Sequence, residues 1–208
     1  MCYHNSNGSV LVPDILPWSL FVNWLEYQER GTLMKALIVI DMQKDFTTGV
    51  LGNPETAAVV KPVVKYIKAF RKENPDGLVV ATLDTHTSEY LNTQEGKKLP
   101  VPHCIKGTKG WALEKTVQNA IGEDAILVEK VTFGAADLPK TIGKRRKIEE
   151  FQIIGVCTDI CVISNAMILK AAFPEVPVKI ISDCCAGVTP ESHATALAAM
   201  NACQMEIV

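Results

Sequence analysis

Long hydrophobic runs are missing from this sequence. Its apolar stretches extend over a handful of residues, far short of the roughly 18–20 that a membrane-spanning helix requires. No sign of charge dominates: 21 Lys+Arg stand against 23 Asp+Glu, a net charge of −2. That balance excludes a whole-molecule attraction to nucleic acid or anionic membrane. A disulfide framework is also absent, because seven cysteines scattered over 208 residues are odd in number and too dispersed to staple a small fold. The opening stretch MCYHNSNGSVLVPDILPWSLF has no Lys or Arg and no clean apolar core, so it does not read as a secretory signal. A reducing cytoplasm is the expected compartment, where cysteines are small buried hydrophobes, metal ligands or reactive thiols.

What is present is an ordinary globular composition, 48% hydrophobic and 21% charged, enough for one generous domain burying about 70% of its unfolded surface. The texture changes at Met34. Residues 1–33 are rich in Asn, Pro and aromatics and hold no sustained period. They read as an N-terminal extension, partly helical around Trp18–Tyr27 and poorly ordered, or as a stretch upstream of a start at Met34. Residues 34–208 form the expected functional domain, in which short apolar runs alternate with amphipathic stretches. The runs are Ala36–Ile40, Leu78–Leu83, Ala125–Val128, Phe151–Val156, Val178–Ile181 and Met205–Val208. Rich in Val and Ile and apolar almost throughout, they suit parallel strands buried on both faces. Helix patterns fall between them at Pro54–Lys72, Trp111–Ile121, Leu138–Gly143, Ile160–Phe173 and Pro190–Ala202, the last opened by Thr189 as N-cap and Pro190 in the first turn. Strand–helix alternation predicts an α/β domain with a mostly parallel six-stranded sheet and right-handed crossovers. The basic cluster Lys144–Lys147, answered by Glu149 and Glu150, reads as a solvated face.

In an open parallel sheet ligands bind beyond the carboxyl ends of the strands. The first run ends in Asp41, the second in Asp84 followed by His86, and the third in Lys130. The fourth runs into Cys157-Thr158-Asp159-Ile160-Cys161 and then a helix. One Asp after a strand is usually a turn former; four such ends carried to one sheet edge make a constellation. A free thiol is mostly protonated at neutral pH and needs activation. Cys161, in the first turn of its helix, is placed where the macrodipole favours a thiolate, and Lys130 adds a positive charge. Asp41 can take the thiol proton and return it to a leaving group. The set suits covalent acyl transfer through a thioester, with N–H groups of the Cys157–Cys161 turn stabilising the oxyanion.

A second cluster has metal-ligand character. Asp84 and His86 stand two apart at a strand end, and His103 follows in VPHCIKGTKG. Two imidazoles and a carboxylate suit Zn²⁺, Fe²⁺ or Mn²⁺ with exchangeable positions. Glu95 is a further candidate ligand or supporting acceptor. Other residues read as structural: Cys104, Cys184, Cys185 and Cys203 as bystanders, His193 as a satisfied helical histidine. Gly107 and Gly110 read as a sharp loop that lacks the rest of a phosphate cradle.

IVIDMQKDF, LDTH, PHCIKGTKG, VEK and GVCTDICV, in this order from Met34 to Val208, resemble the successive motifs of the isochorismatase-like cysteine hydrolases, nicotinamidases in particular. The resemblance implies a doubly wound sheet with helices on both faces, a Rossmann-like three-layer sandwich. It implies a catalytic triad of Asp41, Lys130 and Cys161, and an oxyanion hole at the Cys157 and Cys161 N–H groups after a cis Val156–Cys157 peptide. It also implies a divalent metal, zinc foremost, on Asp84, His86 and His103, an aromatic substrate contact at Phe46, and a homo-oligomer. Two positions depart from the nicotinamidase pattern. A Trp three residues before the metal histidine is replaced by Pro100, and the segment after the lysine reads Val131-Thr132-Phe133-Gly134, which offers Phe133 or Trp111 as the substitute ring face.

The leading expectation is a metal-assisted cysteine amidohydrolase turning nicotinamide into nicotinate and ammonia, in NAD salvage. Two rivals remain: the same machinery on another small amide, such as a carbamoyl or ureido compound, and a non-catalytic thiol or metal sensor that needs neither Asp41 nor Lys130.

Overall fold

The computed structural model describes residues 33–143 and 147–208. Residues 1–32, where the sequence places the extension, and 144–146 of the basic cluster lie outside the described residues. The described residues hold six strands: β1 (Leu33–Ile40), β2 (Leu78–Asp84), β3 (Ile126–Lys130), β4 (Lys147–Val156), β5 (Val178–Ala186) and β6 (Glu206–Ile207). They form one sheet in the order β3-β2-β1-β4-β5-β6, and every neighbouring pair is parallel. The sheet is thus wholly rather than mostly parallel.

Burial explains the apolar runs. All seven residues of β2 are buried, as is β1 from Ala36 to Ile40, because helices cover both faces. On one face α6 (Leu138–Gly143), α7 (Ile163–Ala172) and α8 (Pro190–Ala202) bring Leu138, Ile142, Leu169 and Met200 onto Ile38 and Ile153. On the other, α3 (Val60–Glu73) and α5 (Lys115–Ile121) bring Val63, Ile67 and Val117 onto Leu37 and Val39. Each such fully buried aliphatic side chain contributes about 1.5–3 kcal/mol of transfer free energy. Three short elements, α1 (Lys44–Thr47), α2 (Pro54–Ala58) and α4 (Gln94–Lys98), are the other α-helices among the described residues.

Several boundaries depart from the sequence pattern. The helix expected over Pro54–Lys72 is two, α2 and α3. Pro62 has no N–H to give Ala58 O, and its ring crowds that carbonyl, so the chain breaks there and Pro62 falls in the first turn of α3. The helix expected from Trp111 begins at Lys115, because the preceding residues pair with the segment after β1: Lys44 N–H donates to Ala112 O and Glu114 N–H to Met42 O. Strand β4 begins at Lys147, four residues before its apolar run, and Glu150 pairs with Lys35 and Lys179 of the flanking strands. Glu150 is thus paired with its sheet neighbours.

The strand order fixes where a site can form. Connections from β1 run outward to β2 and β3 on one side, and β4 resumes on the other, so the crevice at the carboxyl ends of β1 and β4 is the topological switch point. The two strands come into contact there. Gly155 of β4 has φ +120°, and a Cβ on it would lie 2.1 Å from Ile40 O; only glycine permits that approach.

Candidate active site

All four predicted strand ends meet at this crevice. The chain leaves β1 at Asp41, whose φ of +47° turns it sharply out of the strand. Lys130, at the last position of β3, reaches past β2 so that its Nζ lies 2.6 Å from Asp41 Oδ2, 3.6 Å from Cys161 Sγ and 3.3 Å from Asp84 Oδ1. Asp41, Lys130 and Cys161 are all buried.

Cys161 occupies a π-type turn, Thr158–Val162, which leads into α7. The Cys157 carbonyl accepts from both Ile160 and Val162 N–H, the second bond defining the wide turn. The preceding Val156–Cys157 peptide is cis. Thr158 is fully buried, with Oγ1 2.8 Å from His193 Nδ1, which gives His193 the satisfied role its sequence context suggested.

Electrostatics corrects one expectation. Burial pushes the Cys161 thiol well above its ordinary pKa, and the Asp41 charge pushes it further while Lys130 opposes. Loss of hydration and the Asp41 charge thus outweigh the ammonium, which favours the thiol over the thiolate at rest. Burial also raises the Asp41 carboxyl, against the attraction of Lys130. Lys130 itself is held charged: burial works against the ammonium, but Asp41 beside it wins.

The second cluster adjoins the first through Asp84. Its Oδ1 faces Lys130, while Oδ2 lies 2.8 Å from His86 Nε2 and 3.5 Å from His103 Nε2. Glu95, from α4, brings Oε1 to 3.7 Å from both imidazoles. One donor atom from each of Asp84, His86, Glu95 and His103 falls within 4.8 Å of the others. His103 Nδ1 lies 2.8 Å from Val101 O; donating there leaves Nε2 as the ligand atom. His86 Nε2 is buried without a hydrogen-bond partner, despite its short approach to Asp84. Off-line contacts between a carboxylate and imidazoles, with one orphaned nitrogen, fit ligands converging on a shared cation. Burial alone disfavours the Asp84 charge, but His103, His86 and Lys130 together hold its pKa below the usual carboxylate range.

The loops carrying these ligands are stitched together. His86 N–H donates to Cys104 O and Lys106 N–H returns to His86 O. Cys104 N–H donates to Asp45 Oδ2, and Asp45 sits so close to Gly110 that a Cβ there would lie 2.1 Å from its carboxylate. Gly110, read from the sequence as part of a sharp loop, is therefore small to admit Asp45. The Tyr90 ring packs 4.7 Å from His86 and 4.9 Å from His103.

A cleft of about 480 Å³ opens at the second cluster, lined by His86, Glu95, Leu99, Phe133 and by Val131 and Ile160, the chain neighbours of Lys130 and Cys161. Phe133 is part of this lining. Phe46 is not: it is buried edge-on to His103, ring centroids 5.5 Å apart. Trp111 turns its indole N–H to Thr85 Oγ1, outside the lining. A larger groove of about 720 Å³, along Lys115, Gln118 and Leu127, contains none of the predicted site residues.

Sequence reasoning passed over Gln43 and Thr82, both fully buried. Gln43 Nε2 donates to Asp84 O and Oε1 accepts from Asp84 N–H, so its amide mimics a sheet partner. Thr82 binds Asp41. The signal was present: Thr82 stands two before Asp84 and shares its side of the strand.

The isochorismatase domain family matches residues 35–208. The nicotinamidase/pyrazinamidase of Mycobacterium tuberculosis is 25% identical over 189 residues, 84% of this chain and 98% of that protein. The nicotinamidase of Schizosaccharomyces pombe is 26% identical over 207 residues, 83% of this chain and 92% of that one. Among solved structures, the pyrazinamidase of Pyrococcus horikoshii in complex with zinc superposes with a TM-score of 0.70 at 28% identity, covering 84% of this chain and 98% of that chain. No described helix is long and apolar enough to cross a membrane.

Proposed function

The chain belongs to the isochorismatase family and is an amidohydrolase of it, and on that premise we propose that it hydrolyses nicotinamide to nicotinate and ammonia through a Cys161 thioester. The observation that carries the proposal is the Lys130 ammonium, 2.6 Å from Asp41 and 3.6 Å from the Cys161 sulfur in a buried site.

Each group then has a task. Asp41 takes the Cys161 proton as sulfur attacks the amide carbon, so thiolate forms only as it is consumed. Lys130 keeps Asp41 ionised before the transfer and balances the negative sulfur during it. The oxyanion is assigned to the N–H groups of Cys157 and Cys161. Asp41 returns the proton to the departing nitrogen, ammonia leaves, and the thioester remains. A water then gives one proton to Asp41 and its hydroxyl to the acyl carbon, and as the C–S bond breaks Asp41 passes that proton to the sulfur, restoring the Cys161 thiol as the acid departs.

Asp84, His86, Glu95 and His103 are the residues that would hold a divalent ion, zinc by the nature of the donors. Bound there, it supplies a Lewis acid for a substrate ring nitrogen or a water. Phe133 is the ring contact within the cleft. The proposal includes a role in NAD salvage, a reducing cytoplasm, which preserves the thiol, and a homo-oligomeric state. Residues 34–208 are taken as the hydrolase domain, with the preceding segment an extension to it.

Pro100 in place of the nicotinamidase Trp favours one second reading, the same chemistry on a carbamoyl or ureido compound. Ammonia release against nicotinamide, benzamide-type amides and ureido acids separates the two. Release from none of them, or undiminished release by Cys161→Ala, overturns the amidohydrolase assignment.

A further inference from the structure

Thr82 lies in β2, two residues before Asp84, with no solvent exposure. Its hydroxyl stands between the main chain and side chain of Asp41. It accepts the Asp41 N–H at 3.2 Å and donates to Asp41 Oδ1 at 2.7 Å. The parallel ladder between β1 and β2 ends at Val39 and Ala81, and Asp41 follows with φ +47°. The hydroxyl therefore stands in for a ladder partner just where the backbone turns away from the sheet. With Lys130 Nζ 2.6 Å from Oδ2 as an ion pair, the Thr82 hydroxyl supplies the hydrogen bond to the carboxylate on the other oxygen.

Resting on the assignment of Asp41 as the proton acceptor, we propose that Thr82 is a positioning residue for the reaction: its hydroxyl fixes the Asp41 carboxylate in the orientation from which it receives the thiol proton. A hydroxyl already bonded to the backbone N–H has its proton directed at Oδ1, so it favours the ionised carboxylate over the neutral acid. Among the described residues, Lys130 at the end of β3 favours the Asp41 charge, Asp84 at the end of β2 opposes it, Cys161 after β4 is the thiol it serves, and the Cys157 and Cys104 thiols also feel that charge. A purely structural Thr82 would satisfy the Asp41 N–H and do nothing to its protonation or to turnover.

The test uses Thr82→Val, which keeps the shape and removes the donor, and Thr82→Ser, which keeps the donor. For the metal-loaded enzyme and each variant, kcat and KM for amide hydrolysis are measured against pH. The Asp41 carboxyl is titrated in parallel by carbon-13 NMR, its resonance assigned with Asp41→Asn. Thr82→Val is expected to lower kcat about tenfold with KM nearly unchanged, and to move both the acid limb and the Asp41 titration upward by about one pH unit. Thr82→Ser restores both. A wild-type acid limb and Asp41 titration in Thr82→Val overturn the proposal, as does Thr82→Ser failing as badly as Thr82→Val. Should Thr82→Val not fold, Thr82→Ala takes its place in the same comparison. If the wild type hydrolyses no amide, the functional assignment falls, and the Asp41 titration still decides what Thr82 does.

Discussion

Lys130 Nζ lies 3.6 Å from Cys161 Sγ although thirty-one residues separate them in the chain. One ends a strand and the other follows the strand on the far side of the switch point, with β2 and β1 between. A four-carbon side chain spans that width, and its ammonium is secured by Asp41 and Asp84 on the way. The reactive thiol is thus coupled to charge without being exposed to water.

Replacing Cys161 by Ala should abolish ammonia release, at least about a thousandfold as expected for removal of a nucleophile. The side chains are close in volume, so the melting temperature should stay within a few degrees. Calorimetry and an ammonia assay on the same preparation check both parts; turnover within tenfold of wild type ends the thiol mechanism.

The pH dependence follows from a raised Asp41, a raised Cys161 and a strongly held Lys130. Turnover needs Asp41 ionised, so activity is lost as pH falls through a pKa lying above the ordinary carboxylate value of about 3.9. On the alkaline side no limb is expected near about 8.5, where a free thiol titrates, because Cys161 remains protonated there. A kcat/KM profile rising through the free-thiol range would contradict this assignment of protons.

Metal binding should be visible without any substrate. An ion held by the native cluster alone stabilises the fold by about 2.7 kcal/mol at a concentration one hundred times its dissociation constant. Added Zn²⁺ should then raise the melting temperature by roughly 5–10 °C for a domain of this size. His103→Ala should remove the effect and Glu95→Gln reduce it; an unchanged melting temperature over a zinc titration of the wild type would discount the cluster.

Gly155→Ala should destabilise the domain by about 3 kcal/mol or more, from the forbidden φ and the clash with the strand beside it. The added carbon has no room, standing 2.1 Å from Ile40 O at φ +120°. Denaturant unfolding measures it, and a loss below 1 kcal/mol would mean that β1 and β4 separate more easily than their contact implies.

The strand-end residues were legible because parallel strands announce themselves as apolar runs, and a polar residue closing such a run can only sit at the sheet edge. Asp41, Asp84 and Lys130 carry that signal, and the two-residue step to His86 carries it further. Glu95 was barely legible, since α4 is five residues long and too short to show a period. Gln43 and Thr82 were hidden by a different cause. Their value lies in hydrogen bonds to the backbone and carboxylate of residues forty-one positions away, which no local pattern encodes.

The order of apolar and polar residues alone decided that strands and helices alternate and which chemistries lie at the strand ends, because burial on both faces of a sheet constrains every residue within a strand. Only the folded chain decided the pairing order, the seclusion of Phe46 against His103, and the protonation of Cys161. Those depend on distances between segments remote in sequence and on how much water each group loses, quantities that exist only once the segments are packed together.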